Sequence, residues 1–196
     1  MKHFVKTFCL ILVLAFFANY TVTADNTTVD SDILIKASSS LSQLGIMKGD
    51  TQGNLNLEQN ITRSQFITLI VRIMGYDNDK NLNDVVMNFN DNGDIQNWAY
   101  DYMRLGLKYN LIKGYNDNTV RPEAYVSSIE AQAIILRALG YGWATQNNWP
   151  HDVIAQTKIL GLNNDLYFTD DHILTRGETS VLIYNSLTTA FYSGNR

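Results

Sequence analysis

The sequence predicts an all-α fold built from three helix–loop–helix units, and three observations predict it. Thr62-Arg63-Ser64-Gln65, Ser127-Ser128-Ile129-Glu130 and Thr175-Arg176-Gly177-Glu178 each place a hydroxyl residue three positions before Glu or Gln. This is a capping box, in which Thr62, Ser127 and Thr175 accept from the backbone N–H three residues on, and Gln65, Glu130 and Glu178 reach back to the cap N–H. Each box is followed by an apolar run at helical spacing. Landmarks also recur at fixed distances: Gly45 to Thr62 and Asn110 to Ser127 both span 17 residues, and Trp98 to Asn110 and Trp149 to Gly161 both span 12. Matched offsets from separate landmarks mark an internal repeat.

The chain has 196 residues, enough for one domain or a small repeat array, and its 45% hydrophobic and 17% charged content is an ordinary globular balance. Residues 1–24 read differently. Lys2 and Lys6 precede an apolar stretch, Phe8 to Phe17, and Val22-Thr23-Ala24 offers a small-residue cleavage site. This is the pattern of a secretory signal peptide, and the stretch is too short to span a bilayer; an uncleaved anchor is the alternative. Cys9, the single cysteine, lies inside it and ahead of most of the apolar run, unlike a lipoprotein acceptor. The expected mature chain therefore has no disulfide and no thiolate metal site, and must be held by its core. Loss of two lysines and no acid takes the net charge from −4 to −6, which argues against nucleic acid as a partner. No later stretch is long and apolar enough to predict a membrane span.

In chain order, 25–31 is polar and reads as a frayed terminus. Ile33 to Leu44 predicts a helix with Ile33, Leu34, Ala37, Leu41 and Leu44 near one face. A turn-rich loop, Gly45 to Gly53, leads to the first box. Its helix aligns Phe66, Leu69, Ile70, Ile73 and Met74, and Gly75 stops it. Asp77 to Asp94 is a polar connector. Trp98-Ala99 opens a helix to about Tyr109, and the loop from Asn110 to Pro122 leads to the second box. Ala131, Ile134, Ile135, Ala138 and Leu139 repeat the offsets of the first, and Gly140 ends that helix. Trp149 opens a third round through Val153, Ile154, Thr157 and Leu160, ending at Gly161. After Thr175, Leu182, Ile183, Ser186 and Leu187 fall at the same offsets again. One helix pair cannot bury its apolar faces alone, so the units at 31–78, 79–142 and 143–190 must pack on one another.

These residues resemble the S-layer homology family. Its pattern has Trp-Ala opening a helix, a Gly-Tyr-x-Asp-Gly-Thr loop, an Ile-Thr-Arg-Ala-Glu helix start and a Leu-Gly end. Trp98-Ala99, Lys113-Gly114-Tyr115-Asn116-Asp117-Asn118-Thr119, Pro122 and Leu139-Gly140 carry the match in the middle unit. Gly45-Ile46-Met47-Lys48-Gly49 with Ile61-Thr62-Arg63, and Leu174-Thr175-Arg176-Gly177-Glu178, carry it in the outer two. The resemblance implies three such repeats packed as a pseudo-threefold trimer within one chain. It implies non-covalent anchoring of a secreted protein to a Gram-positive cell wall, with secondary cell-wall polysaccharide as partner. The pyruvate ketal of that polymer would lie in grooves between repeats, with the motif arginine on its carboxylate.

On this reading Arg63 and Arg176 bind the ketal carboxylate. A guanidinium can hold a planar carboxylate in a bidentate way, and a helix start with free N–H groups favours anions. Ser128 stands where the second arginine belongs, so two grooves at most are expected to function. Gln65 replaces a motif Glu, and the third loop has Asn163-Asn164-Asp165 in place of the Gly-Tyr motif. Sugar contacts are expected among Trp98, Gly114, Tyr115, Asp117, Arg121 and Trp149. The bland roles beside these are core anchoring for the two tryptophans, turn geometry for Gly49 and Gly114, and Asx turns for Asp91 and Asp117. Asp77 to Asn81 resembles the start of a calcium loop, but Leu82 occupies the glycine position and Asn88 the bidentate Glu position. His151 and His172 have no metal or triad spacing, so no metal, cofactor, catalytic residue or enzymatic activity is expected. The competing function is a surface-layer structural element that contacts other surface proteins and has lost sugar binding. Ser128 and the third loop, which lacks the Gly-Tyr motif, motivate that alternative.

Overall fold

The computed structural model describes residues 29–194, and the predicted signal peptide at 1–24 lies outside them. The described residues form α1 (Ser31–Gln43), α2 (Arg63–Ile73), α3 (Tyr100–Lys108), α4 (Ser128–Ala138), α5 (His151–Leu160) and α6 (Arg176–Ser186), with no strand among them. Short 3-10 turns at Tyr76–Asn78, Asn92–Asp94 and Gly142–Thr145 fill the connectors. The fold is all-α, as the sequence predicts.

The three predicted caps form. Thr62, Ser127 and Thr175 sit in extended backbone, and each accepts from the N–H three residues on while Gln65, Glu130 or Glu178 accepts from the cap N–H. The third box is the tightest, with Thr175 N–H donating to Glu178 Oε2 at 2.8 Å. Gly75, at φ +69°, leaves α2 through the left-handed region that glycine tolerates best.

The other helix starts differ from expectation. Asp30 caps α1 by accepting from Asp32 N–H at 2.8 Å, and Val29 is buried, so residues 29–31 belong to the fold and not to a frayed terminus. Leu44 is the C-cap and largely exposed rather than part of the apolar face. α3 begins at Tyr100 and α5 at His151, each two residues after the tryptophan expected to open it. Neither has a side-chain cap hydrogen bond. Both start after turns, and turn backbone with a tryptophan gives a weaker boundary signal than a capping box.

The helices pair across the predicted unit boundaries: α2 packs on α3, α4 on α5 and α6 on α1. The chain segments entering α2, α4 and α6 meet at the centre. Ile61 N–H donates to Leu174 O, Leu174 N–H to Val126 O, and Val126 N–H to Ile61 O, at 3.0–3.1 Å, closing a cycle. All three side chains are fully buried. Around this cycle Leu41, Phe66, Ile70, Ile134, Ile135, Leu182 and Ile183 are buried in one continuous core. A fully buried side chain of this size contributes about 1.5–3 kcal/mol.

The same segments consume the helix-start donors. The N–H groups of Arg63 and Ser64 donate to Ala124 O and Pro122 O; those of Ser128 and Ile129 donate to His172 O and Asp170 O; those of Arg176 and Gly177 donate to Gln59 O and Leu57 O. This corrects the expectation of free N–H groups at the arginines: the donors of the first turn are spent on neighbouring carbonyls, and only side chains remain for a ligand.

Candidate binding clefts

Arg63 is the first residue of α2, and the bonds to Ala124 and Pro122 turn it inward against the middle unit. Only 6% of it is exposed. Its guanidinium carbon lies 5.1 Å from the Tyr115 ring centroid, and its buried Nε has no hydrogen-bond partner. It lines a cleft of about 220 Å³ with Lys113, Gly114, Tyr115, Glu130, Arg137 and Trp149 over a floor of Ala133 and Ile134. Arg137 comes from the last turn of α4. Its Nη1 donates to Leu111 O at 3.2 Å and its Nε to Thr145 Oγ1 at 3.1 Å. Burial lowers the Arg137 pKa, and the nearby charge of Arg63 lowers it further. Two guanidinium groups that repel each other in a partly dry cleft are a ready receptor for an anion, which relieves the repulsion. Tyr115 donates to Glu130 Oε1 at 2.5 Å; burial, with the Glu130 carboxylate adding to it, pushes the phenol up to about 12. The phenol thus stays protonated and holds Glu130 in its capping position.

A second cleft of about 260 Å³ repeats this set with Arg176, Lys48, Gly49, Gln65, Arg72 and Trp98, floored by Thr68 and Leu69. Arg72 stands ten residues after its cap, as Arg137 does. Its Nη1 donates to Ile46 O at 3.2 Å, the counterpart of the Leu111 bond, and its guanidinium lies 5.1 Å over the Tyr102 ring. Arg176 differs from Arg63. Its Nε donates to Leu55 O at 2.8 Å and its Nη2 to Lys48 O at 3.1 Å, while burial lowers its pKa. Two of its donors are thus spent on backbone, and the outer edge of the fork remains for a ligand.

The third boundary has neither arginine. Ser128 is fully buried and its hydroxyl points at Thr169 O and Asp170 O, each at 2.8 Å. Asn185 takes the place of Arg72 and Arg137 and donates to Leu162 O and Asn164 O. His172 Nε2 lies 2.9 Å from both Glu178 oxygens.

The predicted residues thus separate. Arg63, Gly114, Tyr115 and Trp149 meet in the first cleft, and Arg176 and Trp98 in the second. Asp117 and Arg121 stand outside both linings: they form an ion pair at 2.9 Å, and Arg121 lies 3.8 Å over the Tyr115 ring. The carboxylate of Asp117 also accepts from Thr119, the turn role expected of it. The core-anchor expectation for the tryptophans is corrected, because Trp98 and Trp149 are both 47% exposed at cleft edges. Each tryptophan lies in the turn that precedes its helix, with about half of its surface exposed at the rim. The turn-geometry role of the two glycines is also corrected. Neither has positive φ; a Cβ on Gly114 would lie 2.3 Å from Phe89, and one on Gly49 would lie 2.6 Å from the Gly53 backbone. Close approach, not conformational freedom, requires them.

Sequence reading missed Lys48, Arg72, Lys113 and Arg137. The arginines had a usable signal, since the residue ten after each cap is Arg72, Arg137 and then Asn185. That series loses its arginine in the third unit, whereas the cap arginine is lost in the second, Ser128. The structure reconciles the two, because each cleft takes its cap arginine from one unit and its second arginine from the next.

A sequence model described as the S-layer homology domain matches residues 39–67 and 88–131. The chain is similar to the Middle cell wall protein of Brevibacillus brevis, 27% identical over 174 residues, which is 89% of this chain and 16% of that protein. It is 29% identical over 155 residues to the Surface layer protein of Brevibacillus choshinensis, covering 77% of this chain and 14% of that one. It is 26% identical over 184 residues to the Cell surface protein of Thermoanaerobacter kivui, covering 93% and 24%. The chain therefore spans less than a quarter of the length of these relatives. The matched segments, which contain the first and second caps and most of the lining of the Arg63 cleft, carry S-layer homology domain sequence.

Proposed function

We propose that the chain is a cell-surface module that attaches without covalent bonds to a secondary cell-wall polysaccharide, gripping a pyruvate ketal carboxylate in the Arg63 and Arg176 clefts. The single observation that carries this is the duplicated constellation of two arginines, one lysine and one rim tryptophan. Arg63, Arg137, Lys113 and Trp149 line one cleft; Arg176, Arg72, Lys48 and Trp98 line the other. Paired guanidinium groups suit a planar carboxylate, and a half-exposed indole suits the apolar face of a sugar. The unpartnered Nε of buried Arg63 is a donor waiting for such a group. A non-catalytic role at the cell surface agrees with the names of the relatives. The division into three repeats at 31–78, 79–142 and 143–190, arranged about a pseudo-threefold axis, is supported by the closed cycle of Ile61, Val126 and Leu174.

The test uses purified wall material with and without its ketal pyruvate. The chain should sediment with the first and not the second, and Arg63→Gln with Arg176→Gln should abolish binding while leaving the helical circular dichroism intact. Equal binding to both wall preparations would sink the ligand assignment. The third boundary favours a second reading, a surface-layer structural or protein-contact element, because Ser128 and Asn185 leave it without a cationic group at either arginine position. In that case wall binding is absent and a second surface protein is retained instead.

A further inference from the structure

The two clefts share a set of cations but differ at the residue that closes the capping box. The Arg63 cleft is lined by Glu130 and the Arg176 cleft by Gln65. Each serves its cap with one end of the side chain, so the cap decides what the other end presents. Thr62 N–H can only donate, so it must meet Gln65 Oε1, as it does at 3.2 Å. The amide NH2 is left over, and no hydrogen bond among the described residues engages it. Glu130 has oxygen at both ends. Its Oε2 accepts from Ser127 N–H at 3.3 Å and its Oε1 from the Tyr115 hydroxyl at 2.5 Å. Both donors are neutral, and Glu130 belongs to none of the ion pairs among the described residues. The tyrosine is lost together with the acid: Tyr115 stands 15 residues before Glu130, and the residue 15 before Gln65 is Asp50, whose carboxylate accepts from Gln52 and Asn54 N–H instead. The first cleft thus holds three cations and a carboxylate, and the second three cations and none. The surroundings do not restore the balance. Beyond Trp98, Lys108 pairs Asp79 at 2.5 Å and Arg104 pairs Asp101 at 3.4 Å, with Lys80 beside Asp77 in the same lining. Beside Tyr115, Arg121 and Asp117 cancel each other.

We propose that Gln65 contacts the ligand and sets the charge preference of its cleft: the Arg176 cleft is the tighter anion site and the one that accepts a doubly charged group, while Glu130 limits the Arg63 cleft to a single carboxylate. The amide also makes good what Arg176 lacks. Arg176 spends Nε and one Nη2 bond on Leu55 O and Lys48 O, and the Gln65 NH2 adds a donor to the same lining. A dianion such as a phosphate monoester brings three acceptor oxygens, which Arg176, Arg72, Lys48 and Gln65 can meet with donors alone. In the Arg63 cleft the second charge of the same group would stand in one lining with Glu130 and be repelled. Discrimination between the clefts therefore comes from one atom type at one position, a nitrogen where the other cleft has an oxygen.

This inference rests on the carboxylate reading of the two clefts, and the test separates them. Trp149 lines the first cleft and Trp98 the second, so their indole N–H resonances, assigned with Trp149→Phe and Trp98→Phe, follow each cleft within one titration. The probes are a pyruvate-ketal monosaccharide and a hexose phosphate at about pH 8, where the phosphate is dianionic. The monosaccharide should saturate the Trp98 shift at about tenfold lower concentration than the Trp149 shift, the effect of one partly screened charge. The phosphate carries twice the charge and should differ by about a hundredfold. Gln65→Glu keeps the capping box, so it should leave the melting temperature unchanged while removing the gap for both probes. Glu130→Gln should remove it from the other side, by tightening the Trp149 titration. Salt at about 0.5 M should shrink the gap in the parent. Equal affinities in the parent, or a gap that survives Gln65→Glu, overturn the role of Gln65 and leave the carboxylate reading standing. A monosaccharide that moves neither resonance overturns both.

Discussion

The Arg63 cleft and the Ser128 boundary occupy corresponding places and differ in what fills them. At the first, the cap-position arginine is buried with Nε unpaired, and a second arginine from α4 faces it. At the other, a much shorter serine satisfies itself on Thr169 O and Asp170 O, and Asn185 satisfies itself on Leu162 O and Asn164 O. Both keep the same backbone bonds and the same cap. The difference teaches that the helix start and the ligand site are separable properties of one motif. The hydroxyl and Glu or Gln hold the backbone, while the second position is free to carry charge or to close the boundary.

The sharpest way to break the comparison is to neutralise each arginine alone. Arg63→Met should lower wall affinity about 10–100-fold, the scale of one charge-assisted bidentate contact, with little change in melting temperature. Arg176→Met should lower affinity and also cost about 1–3 kcal/mol of stability, because Leu55 O and Lys48 O lose their donors. Sedimentation with wall material and urea unfolding read the two effects separately; equal stability loss in both variants would erase the distinction.

A smaller effect tests the glycines that let the clefts form. Gly49→Ala should destabilise by about 1–3 kcal/mol, since its Cβ meets backbone at Gly53. Gly114→Ala should cost less, because the atom it meets belongs to the Phe89 ring, which can shift. Chemical denaturation should rank them in that order.

At the closed boundary, Ser128→Ala should cost about 1 kcal/mol and leave wall binding unchanged. Ser128→Arg should add no binding equivalent in calorimetry, since Asn185 supplies no second guanidinium.

The smallest effect lies at Asp79, in the cleft that shares Trp98 with the second basic one. The Lys108 ammonium, with the Asn81 N–H and the Tyr109 hydroxyl, holds Asp79 at about 2 against an ordinary 3.8. The folded value is depressed, so this contribution is full above the unfolded value and fades as pH falls from about 4 toward 2. Thermal melts of Asp79→Asn should show a shallower loss over that window than the parent, and an identical slope would remove Asp79 from the account.

Much of this could be read from residues alone. The capping boxes are local: a hydroxyl and a Glu three residues apart meet whatever the rest of the chain does, so Thr62, Ser127 and Thr175 marked their helices to the residue. The apolar offsets after each box are equally local and named the core faces around Phe66, Ile134 and Leu182. Weaker local signals gave weaker boundaries, as at Tyr100 and His151, where a turn and not a cap precedes the helix. The tryptophans were misjudged for a related reason. An indole can serve a core or a rim, and only the surrounding packing chooses.

What the sequence determined by itself is the all-α class, the repeated helix starts and the uneven arginines at their second position, because each depends on neighbours within a few residues. What only the tertiary structure decided is which side chains share a cleft. The cycle of Ile61, Val126 and Leu174 turns each helix start toward the next unit, and so brings Arg63 beside Arg137 and Arg176 beside Arg72. Those pairs stand 74 and 104 residues apart in the chain. No local preference encodes that meeting; it follows from burying three apolar faces at once while every central N–H finds a carbonyl on another segment.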